Sequence, residues 1–168
     1  MAARNPEGVL ITGVYGSGKS SVAAEIGYEL QQRSELYALL DLDFLGWVGD
    51  HETGRATMLR NLAAIAPSYR DLGVSRYVLA YFVPDRGTLD AIKEALAIPL
   101  RVVRLSVPFT EIERRLSADV TSGRMDDLRD AAESLATSAG AGVEDLLIET
   151  AGPVQEIARE VMCWLGWR

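Results

Sequence analysis

Eight consecutive residues, Gly13-Val14-Tyr15-Gly16-Ser17-Gly18-Lys19-Ser20, match the spacing G-x-x-x-x-G-K-[ST] and add a glycine, Gly16, inside the variable stretch. Glycines allow a tight turn in which successive backbone N–H groups point into one concavity and grip phosphate oxygens. The lysine of such a loop reaches the outer phosphates, and its hydroxyl helps to hold Mg²⁺. The candidate phosphate-binding residues are therefore Gly13, Tyr15, Gly16, Ser17, Gly18, Lys19, Ser20 and Ser21. Bare glycine-rich turns are common, but here an apolar run at 9–12 leads in and a helical pattern leads out. Strand, glycine loop and helix together point to a bound nucleoside triphosphate, with ATP and Mg²⁺ as the expected ligands.

A second constellation is Asp41-x-Asp43, at the end of an apolar run. Acids at the carboxyl end of a buried strand are costly unless they meet a cation or a donor. If both lie on the strand, their spacing of two puts them on one face of the sheet. That strand is expected to neighbour the first, which would bring both carboxylates toward the metal and phosphates. Residues 44–60 add Trp47, His51, Arg55 and Arg60, with Gly46, Gly49 and Gly54 expected to supply flexibility. Trp47 offers a flat surface for a sugar or a base, or it packs over the core. His51 has no cysteine or histidine companion nearby, so it reads as a surface or acceptor contact and not as a zinc ligand. Arg86, in the turn Pro84-Asp85-Arg86-Gly87, is either solvated or holds an anionic or hydroxylated acceptor.

The elements that must carry these residues alternate regularly. Strands are expected at 9–12, 37–42, 77–83, 100–107 and 145–150, the second buried on both faces. Helices are expected after Ser20 to about Arg33, from Met58 to a stop before Gly73, and over 88–97 with Thr88 as N-cap. Further helices open at a Thr110–Glu113 capping box, run over 126–139, and start from Pro153 with Cys163 on the inner stripe. The fold class is α/β: three layers, with a five-stranded parallel sheet covered by helices on both faces. A ligand then sits beyond the carboxyl ends of the strands.

A length of 168 residues suits one domain, 1–168, and 48% hydrophobic residues can furnish its core. Formal charge is −7, which disfavours nucleic acid and anionic membrane as partners. No apolar stretch approaches the length of a membrane helix, the first residues lack the apolar core of a secretion signal, and one cysteine suits a reducing cytoplasm. Of the 17 basic residues only Lys19 and Lys93 are lysines, and one of them falls in the glycine loop. Nothing in the sequence sets an oligomeric state.

No Asn-Lys-x-Asp guanine signature is present. Element order over the whole chain, the loop 13–20 and Asp41-x-Asp43 resemble the small phosphate-loop kinases: shikimate and gluconate kinases, adenylylsulfate kinase and chloramphenicol phosphotransferase. The resemblance implies transfer of the γ-phosphoryl group of ATP to a hydroxyl of a small molecule. That acceptor is a nucleoside or nucleotide, a sugar acid, a metabolite or an antibiotic. The other readings are a catalytically silent ATP-binding module and a simple ATPase. By the same resemblance Lys19, Asp43 and Arg115 are the catalytic residues, and Ser20 and Asp41 lie on the metal side. Asp43, Trp47, Arg55, Arg60 and Arg86 would meet the acceptor, and 109–127 would form a lid. Arg114 and Arg124 are the other lid candidates, because Asp119 stands where a second lid arginine commonly follows. Asp85 is the candidate for the acid that often ends the third strand. Thr150-Ala151-Gly152-Pro153 falls where such kinases wrap the adenine.

Overall fold

The computed structural model describes residues 5–49, 51–118, 123–150 and 152–167. Five strands form one parallel sheet: β1 (Glu7–Thr12), β2 (Tyr37–Asp41), β3 (Arg76–Ala80), β4 (Leu100–Ser106) and β5 (Leu146–Glu149). Its order is β2-β3-β1-β4-β5. The helices among the described residues are α1 (Lys19–Gln32), α2 (Leu42–Leu45), α3 (His51–Asp71), α4 (Arg86–Leu96), α5 (Phe109–Ala118), α6 (Arg124–Ala136) and α7 (Val154–Leu165). This is the α/β architecture that the alternating pattern predicts.

The period of two along the strands sorts side chains between two cores. Val9, Ile11, Val78 and Val103 face α1 and α7, where they meet Val22, Ile26, Leu30, Ile157 and Val161. Leu10, Leu79 and Val102 face the other way, onto Met58 and Leu62 of α3 and Leu89, Ile92 and Leu96 of α4. Central strands buried on both sides need continuous apolar runs, and β1 and β3 have them. A third, smaller cluster joins Val14 and Tyr15 to Ile112 and Leu116 of α5 and Ala131 of α6, so these helices pack over the glycine loop. No helix among the described residues is long and apolar enough to cross a membrane.

Several local expectations are corrected. The second strand does not neighbour the first: β2 lies at the sheet edge and pairs with β3, which stands between them. Consistent with an edge position, Leu39 is 43% exposed and β2 is not buried on both faces. Only Asp41 belongs to β2. Its carboxylate accepts from the Asp43 amide at 3.2 Å, capping α2, so Asp43 sits in the first helical turn and not on the strand. The helix expected from Met58 begins at His51 and takes in much of the segment read as flexible. Gly46 and Gly54 there serve close packing: a Cβ on Gly46 would stand 2.5 Å from the Gly54 carbonyl oxygen.

The N-cap of α4 is Asp85, whose carboxylate accepts from the Thr88 amide at 2.7 Å; Thr88 lies inside the helix. The Pro108 carbonyl accepts from the Glu111 and Ile112 amides, which starts α5 ahead of the Thr110–Glu113 box. Helix α6 starts and ends earlier than 126–139. Cys163 is exposed, because the buried stripe of α7 runs through Ile157, Val161, Met162 and Leu165 and passes it by.

Candidate active site

The loop between β1 and α1 is shaped by three glycines at positive φ, Gly13 at 143°, Gly16 at 78° and Gly18 at 95°. A Cβ on Gly13 would lie 2.7 Å from Ser17 Oγ and 2.8 Å from the Leu105 carbonyl oxygen, so only glycine lets the chain turn there. Ser17 is 1% exposed, and its hydroxyl has no hydrogen-bond partner among the described residues. Lys19 is 7% exposed, donates to the Val14 carbonyl at 3.2 Å, and lies 5.2 Å from the centre of the Tyr15 ring. Burial lowers its pKa, against the pull of Asp43, Asp41 and Asp127. An ammonium carries three donors, and one carbonyl satisfies one of them. A cradle of this kind calls for an anion, and phosphate fits it.

Asp41 reaches the same place from the sheet edge. Its Oδ2 accepts from Ser20 Oγ at 2.7 Å, linking the end of β2 to the first turn of α1. A hydroxyl and a carboxylate are hard oxygen donors of the sort Mg²⁺ prefers. Among the described residues no group of three or more His, Cys, Asp or Glu could hold a metal. Two protein oxygens suit Mg²⁺, which usually keeps several waters and phosphate oxygens. Asp43 stands beside this pair. Burial raises its pKa, the nearby Lys19 ammonium opposes that, and the Asp41 and Asp127 charges reinforce it. Burial, followed by the charges of Asp43, Asp127 and Asp130, pushes the Tyr15 hydroxyl up to about 12.

These groups line one cleft of about 1890 Å³ at the carboxyl ends of the strands, a volume that exceeds the usual range for a single small ligand. Tyr15 to Ser21, Asp41, Asp43, Trp47, Arg55, Arg114, Arg115 and Arg124 are all in its wall. Arg115 donates to the Gly16 and Ser17 carbonyls at 3.3 and 3.4 Å and to Glu111 Oε1 at 2.8 Å. Arg114 makes two bonds to Glu111 from an exposed position, and Arg124 pairs with Asp127 at 2.6 Å. Hydrogen bonds from Arg114 and Arg115 hold the Glu111 carboxyl down at about 2, so it stays charged at any working pH. Glu149, Thr150 and Gly152 close another part of the wall; Ala151 lies outside the described residues.

Other expected residues stand elsewhere. Gly13 shapes the loop from behind and is not in the wall. Arg60 is exposed on α3 away from the lining, and Arg86 donates to the Gly142 carbonyl at 2.8 Å, also away from it. Asp85 is engaged in capping α4 and does not line the cleft. The His51 side chain and Asp119 lie outside the described residues. Sequence reasoning missed Glu111, Asp127, Phe44 and Tyr81. The spacing of Glu111 three and four residues before two arginines on one helix signals its ion pairs but not its place in the wall. Tyr81 follows directly on the carboxyl end of β3, where ligands of parallel sheets gather.

Solved structures share this fold over nearly the whole chain. The APS kinase of Mycobacterium tuberculosis, solved in complex with AMPPNP and APS, is 21% identical over 97% of this chain and 99% of its own, with a TM-score of 0.65. The gluconokinase of Sinorhizobium meliloti is also 21% identical, over 98% of this chain and 94% of its own, with a TM-score of 0.65. Shikimate kinase of Acinetobacter baumannii, in complex with shikimate, is 17% identical over 99% and 96%, with a TM-score of 0.60. The fold is that of the small phosphate-loop kinases. In sequence, the chain is 29% identical to the adenylyl-sulfate kinase of Bacteroides fragilis over 117 residues, 64% of this chain. The match spans 57% of that relative's length. No protein-family model matches the chain.

Proposed function

We propose that this chain is a small-molecule kinase that moves the γ-phosphoryl group of ATP to a hydroxyl, with Mg²⁺ as the required ion. The observation that carries the reading is the meeting of a buried Lys19, the Ser20–Asp41 contact and Asp43 in one cleft. Loop amides and Lys19 hold the phosphates, with Tyr15, Ser17, Gly18 and Ser21 completing the cradle. Ser20 and Asp41 hold Mg²⁺, which when bound neutralises phosphate charge. Asp43 orients the acceptor hydroxyl and takes its proton as the new O–P bond forms and ADP departs. Phosphoryl transfer depends mainly on positioning and charge neutralisation, so orientation is the larger part of this role. Arg115, anchored by Glu111, supplies positive charge toward the transferred group. Trp47 and Arg55 face the acceptor; Arg60 and Arg86, outside the wall, take no part. The lid is the segment 109–127 of one domain, 1–168, of which 119–122 lie outside the described residues.

The names of the relatives supply the first acceptors to try. ADP release from Mg-ATP is measured alone and with adenylyl sulfate, gluconate, shikimate, nucleosides and hydroxylated antibiotics. The reading predicts turnover that appears with an acceptor and is lost in Lys19→Ala. Equal turnover with and without every acceptor would make the protein an ATPase.

A further inference from the structure

Two aromatic rings stand open to solvent at the cleft. Phe44 is 69% exposed and Trp47 77% exposed, and their rings stack at 5.6 Å and 17°. Both line the wall on the side of Asp43. Elsewhere the chain covers its tryptophans: Trp167 is 2% exposed, and Trp164 is half-buried beneath the Arg101 guanidinium. The turn that carries the rings is held firmly. Asn61 donates to the Leu45 carbonyl at 2.8 Å, and Gly46 packs so closely on Gly54 that no larger residue fits. A stacked pair on a fixed turn presents an open aromatic face to the cleft, with the second ring bracing the first.

We infer, on the basis of the kinase reading, that the acceptor is a hydroxyl-bearing molecule with a planar or broad apolar face. That face lies against the Phe44–Trp47 pair, and its hydroxyl is presented at Asp43.

Calorimetric binding to the full chain saturated with Mg-ADP tests this with two probes: phenyl β-glucoside and methyl β-glucoside. The phenyl probe binds about tenfold more tightly than the methyl probe, close to 1.4 kcal/mol. In Trp47→Ala and Phe44→Ala the two glucosides bind alike, and Trp47→Phe restores part of the difference. Exposed side chains are tested, so melting temperatures stay near that of the parent. Equal affinity for the two glucosides, a preference that survives Trp47→Ala, or no binding of the phenyl probe would each overturn the inference. Because the readout is binding, a failed kinase reading shows separately, as ring-dependent binding with no phosphoryl transfer to any acceptor.

Discussion

Lys19 and Glu111 illustrate how single charges are placed at this site. Lys19 is buried with one carbonyl for a partner, whereas Glu111 gathers two guanidinium groups and aims one of them at the glycine loop. On the proposed mechanism, Arg115→Ala slows transfer by about 10²-fold, the scale of losing one charged donor. Glu111→Gln weakens the anchor and leaves the guanidinium, so its expected loss is smaller, about tenfold, with ATP affinity little changed. Steady-state rates at saturating Mg-ATP check both. A Glu111→Gln variant with an unchanged rate would reduce Glu111 to a surface ion pair.

Among the elements, the ends of strands decide what each acid does. Asp85, at the turn after β3, spends its carboxylate on the Thr88 amide and so caps α4. That backbone bond is the main reason its pKa is lowered. Asp85→Ala is expected to cost about 1 kcal/mol of stability in a urea titration and to leave Mg-ATP affinity unchanged. A loss of Mg²⁺ dependence instead would return Asp85 to the metal side. The same logic shows what was legible. The glycine loop is a local backbone motif, and period-two and period-3.6 patterns are local too, so five strands and their covering helices were readable. Sheet order is not local: nothing in the run 37–42 says that β3 will insert between it and β1. The placement of Asp43 escaped for a related reason, since a one-turn helix opened by Asp41 leaves no periodic signal. Glu111 escaped because an i, i+4 ion pair looks the same whether it is solvated or lines a cleft.

For the molecule as a whole, the site and the main clamp occupy opposite ends of the sheet. Glu7, at the amino end of β1, accepts from Arg76 at 2.7 Å, Trp167 Nε1 at 2.9 Å and Arg101 at 3.4 Å. Arg33, at the end of α1, bonds the Trp167 carbonyl, and Arg101, on β4, bonds that of Leu165, tying the end of α7 to α1 and to the sheet roughly 20 Å from the glycine loop. Trp167→Ala therefore costs about 3–5 kcal/mol in a denaturant titration, while the folded fraction keeps its affinity for ATP. Lost ATP affinity at full folding would couple the two ends more tightly than this layout implies. The central claim concerns the other end, where a phosphoryl group passes to a hydroxyl held at Asp43. The most direct measurement follows the γ-phosphoryl label of ATP into an acceptor, in the parent chain and in Asp43→Asn. The account predicts labelled acceptor with the parent, and transfer reduced about 10²-fold or more in the variant at nearly unchanged ATP affinity. Equal labelling by both proteins would contradict it.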